Sequence, residues 1–350
     1  MRMHFKKKIK IGPYEINETS KTFIIAEAGI NHGGNMRIAK KLIYLASQAG
    51  SDAVKFQAFK TENFILNNVK KAAYQRKVTD PEESQFSMLK SLEFTKEQNK
   101  ELSNYCKKRK IMFLTTPFEE QSLDSLDDLD LPAYKISSTD LTNLPFLKKV
   151  AKKGKPILLS TGMSYIEEVN TALKEIYPFN KQVILLQCTS CYPATESDAN
   201  LNIINTYKNK FDILVGYSDH TAGIGAAPYA VVMGARVIEK HFTLSKKLSG
   251  PDHKASLDPK ELKGLIIEIR KIDQLLGKRI KMPTSSEKEN RSSLQKCLVA
   301  AKEIKKGDYF SEDNIVGKRT GGVGISPVYY RKIVSKRAKK TFLKDEVILI

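Results

Sequence analysis

Eight short apolar runs punctuate the chain from Lys21 to Phe242: KTFIIAEAGI, DAVKFQAF, IMFLTTPF, AYKISST, PILLSTGM, QVILLQCTS, ILVGYSDH and ARVIEKHF. Their length and their β-branched and aromatic content predict buried strands. The connecting segments, such as MRIAKKLIYLASQAG, YIEEVNTALKEIY and IGAAPYAVVMG, have apolar residues at helical spacing. The last run is followed by DPKELKGLIIEIRKIDQLLG, where Asp258 can cap and Pro259 suits the first turn. Leu262, Leu265, Ile266, Ile269 and Ile272 there share one face. Eight strand–helix units predict an α/β fold, a (β/α)8 TIM barrel. A doubly wound sheet competes, but no G-x-G-x-x-G follows the first strand. The polar, irregular segment from Lys60 to Met88 reads as a long loop.

The texture changes beyond the barrel. The polar KRIKMPTSSEKEN marks the join, and the tail has short strand patterns, glycine turns and no long helical period. We therefore expect a barrel over 1–280, a linker over 281–290 and a small β-rich domain over 291–350.

Barrel active sites gather at the C-terminal ends of the strands, so those positions carry the functional information. Reading them in order gives Glu27, then Lys55 and Gln57, then Thr115 and Thr116. Lys135 and Ser138, Ser160 and Thr161, and Ser190 and Tyr192 follow. The series closes with His220 and with Glu239 and His241. His220 and His241 end successive strands of one βαβ unit, which brings them to the same sheet edge. Alone, such a pair reads more readily as two polar residues closing two strands than as a metal site. With two lysines and hydroxyls on three strands, they read as an anion site beside a metal site. In the tail, Arg319 is the residue best suited to hold a carboxylate or phosphate.

Composition changes this picture little. The 350 residues are 41% hydrophobic and 28% charged, as in a soluble globular protein able to bury a large core. No apolar run approaches the roughly 18 residues of a membrane span. The basic N-terminus lacks an apolar export segment, so a cytoplasmic protein without a membrane partner is expected. The net charge of +20 raises nucleic acid as a partner, but the lysines are spread along mixed helices. A basic surface favouring anionic small substrates, with no nucleic acid, is the simpler reading. Cys188 and Cys191 form a C-x-x-C without a second pair and are expected to be buried, reduced thiols.

The motifs AEAGINHGG, AVKFQ, TTPF, AYKISS, LLSTGM, CTSCYP, GYSDHT, VIEKHFT and GPDHKASLDP resemble the sialic acid synthase family over essentially the whole chain. In the tail, KKGDYFSEDN and KRTGGVGISP resemble its C-terminal antifreeze-like (SAF) domain. The resemblance implies condensation of phosphoenolpyruvate with an N-acetylated amino sugar, with C–O cleavage and release of phosphate. It implies Mn2+, or Mg2+ or Co2+, on His220 and His241. Lys55, Thr116, Lys135, Ser138, Ser160, Ser190 and Tyr192 would line the phosphoenolpyruvate side. Glu27 and Asp252 would face the sugar and metal region, with Glu27 assisting proton movement. Arg319 matches an arginine that one subunit inserts into the other's barrel, implying a domain-swapped homodimer.

The chain departs from the family pattern at three places. Many members carry Glu at Asp140, another polar residue at Ser190, and Pro where this tail has Thr320. The expected sugar is N-acetylmannosamine, giving N-acetylneuraminate. The alternative is 2,4-diacetamido-2,4,6-trideoxymannose, giving N,N'-diacetyllegionaminate, with a 6-phosphorylated sugar third. A polyanion-binding decayed barrel and an ice- or glycan-binding tail are the competing classes. The intact Glu27, Lys55, Lys135, His220 and His241 argue against decay.

Overall fold

The computed structural model describes residues 3–76, 78–80 and 82–349. The chain divides into two compact units, 1–277 and 278–350. In the first, a hairpin of β1 (Lys8–Ile11) and β2 (Tyr14–Asn17) precedes eight further strands. These are β3 (Phe23–Gly29), β4 (Ala53–Ala58), β5 (Met112–Pro117), β6 (Tyr134–Ile136), β7 (Ile157–Ser160), β8 (Val183–Cys188), β9 (Leu214–Asp219) and β10 (Val237–His241). Their order is β5-β4-β3-β10-β9-β8-β7-β6, with parallel ladders throughout. β5 and β6, at the two ends of that order, lie side by side. The sheet is thus a nearly closed (β/α)8 barrel, as the alternating apolar runs and helical periods predict.

Local chemistry sets the helix limits. Asn35 accepts from the Arg37 and Ile38 amides to start Met36–Ala49, a cap worth about 1 kcal/mol. Gly50 ends that helix at φ +91°, and Ala39, Leu42, Ile43 and Ala46 bury its apolar stripe. Pro259–Leu276 starts on an Asp258–Glu261 capping box and buries Leu262, Leu265, Ile266 and Ile269. Ile272 packs half-buried against the same core.

The barrel interior shows how one strand serves two purposes. Side chains two apart share a face, and the inner face changes character from one end to the other. Near the N-terminal ends, Phe23, Ile25, Leu114, Leu158, Ile184, Leu214 and Val237 form an apolar cluster. Ile9, Ile11 and Ile16 of the hairpin join that cluster and plug the bottom of the barrel. Gly216 permits this packing, because a Cβ there would lie 2.6 Å from the Val237 carbonyl oxygen. Further along the strands the inner face turns polar, at Glu27, Lys55, Thr116, Lys135, Ser160, Ser218 and Glu239.

Two segments depart from the sequence reading. The stretch read as a loop contains three short helices, Thr61–Phe64, Ala73–Arg76 and Gln85–Lys90. Met88, Leu89, Phe64 and Ile65 pack there with Ile30 and Phe59. Such sparse apolar positions show no helical period, which hid the helices. The stretch read as a linker carries the helix Ser285–Leu294, with a Thr284–Glu287 capping box and no buried residue. A helix that is polar all round gives no periodic signal. In the second unit, β11 (Lys296–Ala300) pairs antiparallel with β12 (Ile315–Arg319). Leu298, Ala300, Ile304, Phe310, Ile315, Phe342 and Ile348 form the core of this unit. Among the described residues, no helix is long and apolar enough to cross a membrane.

Candidate active site

The polar end of the barrel interior encloses a cavity of about 350 Å3. Its lining includes Glu27, Lys55, Thr116, Lys135, Ser138, Ser160, Ser190, Tyr192, His220, His241 and Asp252. Residues separated by up to 225 positions in the chain (Glu27 to Asp252) are therefore brought together. Arg319 belongs to the second unit, where it is exposed at the end of β12. Asp140 is absent from this lining; it borders an adjoining cavity with Asn143, whose amide is 3.4 Å from Asp140 Oδ1.

Four charged side chains form the floor. Lys55 Nζ lies 2.9 Å from Glu27 Oε2 and 3.6 Å from Glu239 Oε2, and donates to Thr116 Oγ1 at 2.8 Å. Lys135 Nζ lies 3.7 Å from Glu239 Oε1, which also accepts from Ser218 Oγ at 2.9 Å. Burial pushes Glu239 up, but Lys135 and Lys55 outweigh it and hold the carboxyl at about 2. For Glu27 burial wins over the pull of Lys55, and its carboxyl rises to about 7. Burial lowers Lys135, whereas for Lys55 the two carboxylates overcome burial and raise it. Two carboxyls within reach of one lysine are thereby driven apart in acidity.

The histidine rings are 5.5 Å apart, centroid to centroid. His220 Nδ1 lies 2.7 Å from the Thr189 carbonyl oxygen, so it takes the role of donor and leaves the Nε2 lone pair free. Burial lowers His220, but Cys188, with its sulfur 3.7 Å from Nδ1, and the Thr189 carbonyl raise it overall. His241 is held well below the usual imidazole range, first by burial and then by His220, and its buried Nδ1 has no partner. A neutral imidazole with an orphaned nitrogen beside a second with a free lone pair fits a divalent ion. Among the described residues no group of three or more His, Cys, Asp or Glu side chains is arranged around an ion. Water and substrate would have to complete the shell.

Ser160 Oγ and His241 Nδ1 line the cavity and lack a hydrogen-bond partner, while Glu27 Oε2 and Glu239 Oε2 meet only the Lys55 ammonium. Buried polar atoms are rarely left unpartnered, and two facing one cavity beside a cluster of buried charges mark a ligand site. Gly162 brings further hydroxyls close: a Cβ there would lie 2.4 Å from Ser190 Oγ and 2.9 Å from Ser138 Oγ. The cavity also includes residues the strand-end reading did not single out. Tyr74 comes from the segment read as a loop and stacks on Tyr192 at 4.9 Å, while Tyr192 lies 4.2 Å from His220. Nothing near Tyr74 in sequence signals this. Ser218 could have been found, since it is two residues before His220 and so shares its face. Cys188 is buried in the cavity, but Cys191 is exposed, contrary to the expectation that both are buried. Cys191 lies three residues beyond the end of β8, outside the packed strand.

A catalytic barrel for an anionic substrate is the class that this fold and cavity define. Residues 42–281 match the NeuB family and residues 295–350 the SAF domain. The N,N'-diacetyllegionaminic acid synthase of Campylobacter jejuni is 48% identical over 331 residues, 94% of this chain and 99% of that protein. The protein of the same name from Legionella pneumophila is 41% identical over 320 residues, 90% of each chain. The crystal structure of N-acetylneuraminic acid (sialic acid) synthetase from Leptospira borgpetersenii, in complex with citrate, has a TM-score of 0.74 and 36% identity. It covers 83% of this chain and 98% of that one. The chain therefore belongs to the NeuB family of sialic, legionaminic and pseudaminic acid synthases and carries the family's SAF domain.

Proposed function

We propose that the protein condenses phosphoenolpyruvate with 2,4-diacetamido-2,4,6-trideoxymannose, giving N,N'-diacetyllegionaminate and phosphate. This reverses the order expected from the sequence, which placed N-acetylmannosamine first. The reversal rests on identity: two relatives named for diacetyllegionaminic acid exceed the structure named for sialic acid. The observation that carries the reaction class is the cavity itself, where two ammonium groups, two carboxyls, two imidazoles and the unpartnered Ser160 Oγ and His241 Nδ1 converge.

Lys55 and Lys135 bind the phosphate and carboxylate of phosphoenolpyruvate, with the hydroxyls of Thr116, Ser138, Ser160 and Ser190 around them. Tyr192 bounds this side. A divalent ion, Mn2+ first and Mg2+ or Co2+ as alternatives, held by His220 and His241, would supply Lewis-acid polarisation of the open-chain sugar aldehyde. Glu27 and Asp252 orient the sugar, and Glu27 delivers a proton to the aldehyde oxygen as carbon 3 of phosphoenolpyruvate bonds to the aldehyde carbon. Water adds at carbon 2, and the carbon–oxygen bond to phosphate breaks as the ketone forms. The phosphorylated co-substrate is charged and does not cross membranes unaided, which favours a cytoplasmic enzyme.

The assembly we propose is a domain-swapped homodimer in which Arg319 completes the partner's barrel. Arg319→Ala should then weaken substrate use while the barrel stays folded, and mixing it with His241→Ala should restore activity in hetero-dimers. No recovery on mixing would refute the swap. The function is tested by phosphate release from phosphoenolpyruvate with Mn2+, offering both sugars in parallel. Preference for the diacetamido sugar supports the proposal. Preference for N-acetylmannosamine makes the enzyme a sialic acid synthase, and no release with either sugar rejects both.

A further inference from the structure

Behind the two histidines, on the outer face of the same strands, lies an ion pair that the proposed chemistry does not touch. Asp219 ends β9 and is in register with Lys240 on β10; each directly precedes a cavity histidine. Lys240 Nζ donates to Asp219 Oδ2 at 2.8 Å and to the Thr221 carbonyl at 2.6 Å. Both side chains are at most 1% exposed. The carboxylate is otherwise saturated. Oδ1 accepts from the Thr221 amide at 2.9 Å and its hydroxyl at 2.6 Å, and Oδ2 accepts from the Ala227 amide at 3.0 Å. One ammonium thus grips the residues on both sides of His220 from the position next to His241. Gly225, at φ +61°, closes over the pair. A Cβ there would lie 1.9 Å from Thr221 Oγ1 and 3.0 Å from Lys240 Nζ.

A buried ion pair is weak evidence for stability, because well-packed apolar residues in its place often cost nothing. It does fix geometry, since an ammonium and carboxylate with several fixed partners admit few arrangements. Two imidazoles on separate strands need such fixing if they are to share one ion. We propose that Asp219 and Lys240 are positioning residues that set the spacing of His220 and His241 for divalent-ion binding. The inference rests on the reading of those histidines as the metal site. The pair itself faces away from the cavity and meets neither substrate.

The test is Mn2+ binding to the full chain without substrate, measured by titration calorimetry beside the thermal midpoint of the metal-free protein. In the double variant Asp219→Asn, Lys240→Met we expect a folded protein whose Mn2+ dissociation constant rises about 10- to 100-fold. Thr221→Val keeps the pair but removes one donor to Asp219, and should loosen binding several-fold. It also serves if the double variant does not fold. Wild-type Mn2+ affinity in a folded double variant, or in Thr221→Val if that alone folds, overturns the proposal. Absence of Mn2+ binding in the unmutated chain is a different outcome, which rejects the metal reading and removes the pair's role with it.

Discussion

The two ends of the barrel interior are built from the same strands and buried to the same degree, yet they behave oppositely. Ile25, Leu114, Leu158 and Leu186 face inward at the lower level and are fully buried in apolar contact. Two residues on, Glu27, Thr116, Ser160 and Cys188 face inward at the upper level, at most 6% exposed. The lower level is closed by the hairpin isoleucines, whereas the upper one keeps orphaned polar atoms. Burial stabilises the fold below and costs stability above, where the groups await a charged ligand. The difference separates a packing layer from a working layer on each strand.

The comparison can be broken by substitution at matched positions. The largest effect is expected at the top: His241→Ala should lower turnover and Mn2+ affinity by more than about 100-fold while the fold persists. Normal activity of that variant after chelation would remove the metal assignment. One strand then separates the layers. Leu158→Ala should cost about 2–5 kcal/mol in chemical denaturation and leave the KM for phosphoenolpyruvate near wild type. Ser160→Ala, two residues further along, should raise that KM with stability unchanged or higher by about 1 kcal/mol, because it deletes an unpaired hydroxyl. Equal stability losses at both positions would mean that the two levels do not differ in role.

A smaller effect belongs to Asp140, outside the cavity. Burial raises its carboxyl to about 6 from 3.8, with Asn143 and Thr139 pulling the other way. The folded state therefore binds this proton more tightly than the unfolded chain. The associated stability is full below pH 3.8 and is lost as pH rises through about 6. Asp140→Asn should match the wild type near pH 4 and exceed it at pH 8, by up to about 2 kcal/mol. Denaturation midpoints that differ equally at both pH values would contradict this.

Much of the upper layer was legible because strand alternation is a strict period of two. Once Glu239 and His241 share a face, so must Lys55 with Gln57, and the barrel topology places them at one mouth. The lower plug was not legible: Ile9 and Ile11 are interleaved with lysines in FKKKIKIG, which reads as a basic tail. Tyr74 was missed because its position depends on how a weakly patterned segment packs, which no local period encodes. The outer pair was hidden for another reason. Asp219 and Lys240 look like ordinary charged neighbours of histidines, and only the register between β9 and β10 joins them.

The most direct test of the central claim is a crystal structure with Mn2+ and phosphoenolpyruvate bound. The account predicts anomalous density at His220 and His241, with the ligand's anionic groups against Lys55 and Lys135 and a hydrogen bond completing Ser160 Oγ. Phosphoenolpyruvate or Mn2+ bound elsewhere, with Ser160 Oγ and His241 Nδ1 still unpartnered, would contradict it.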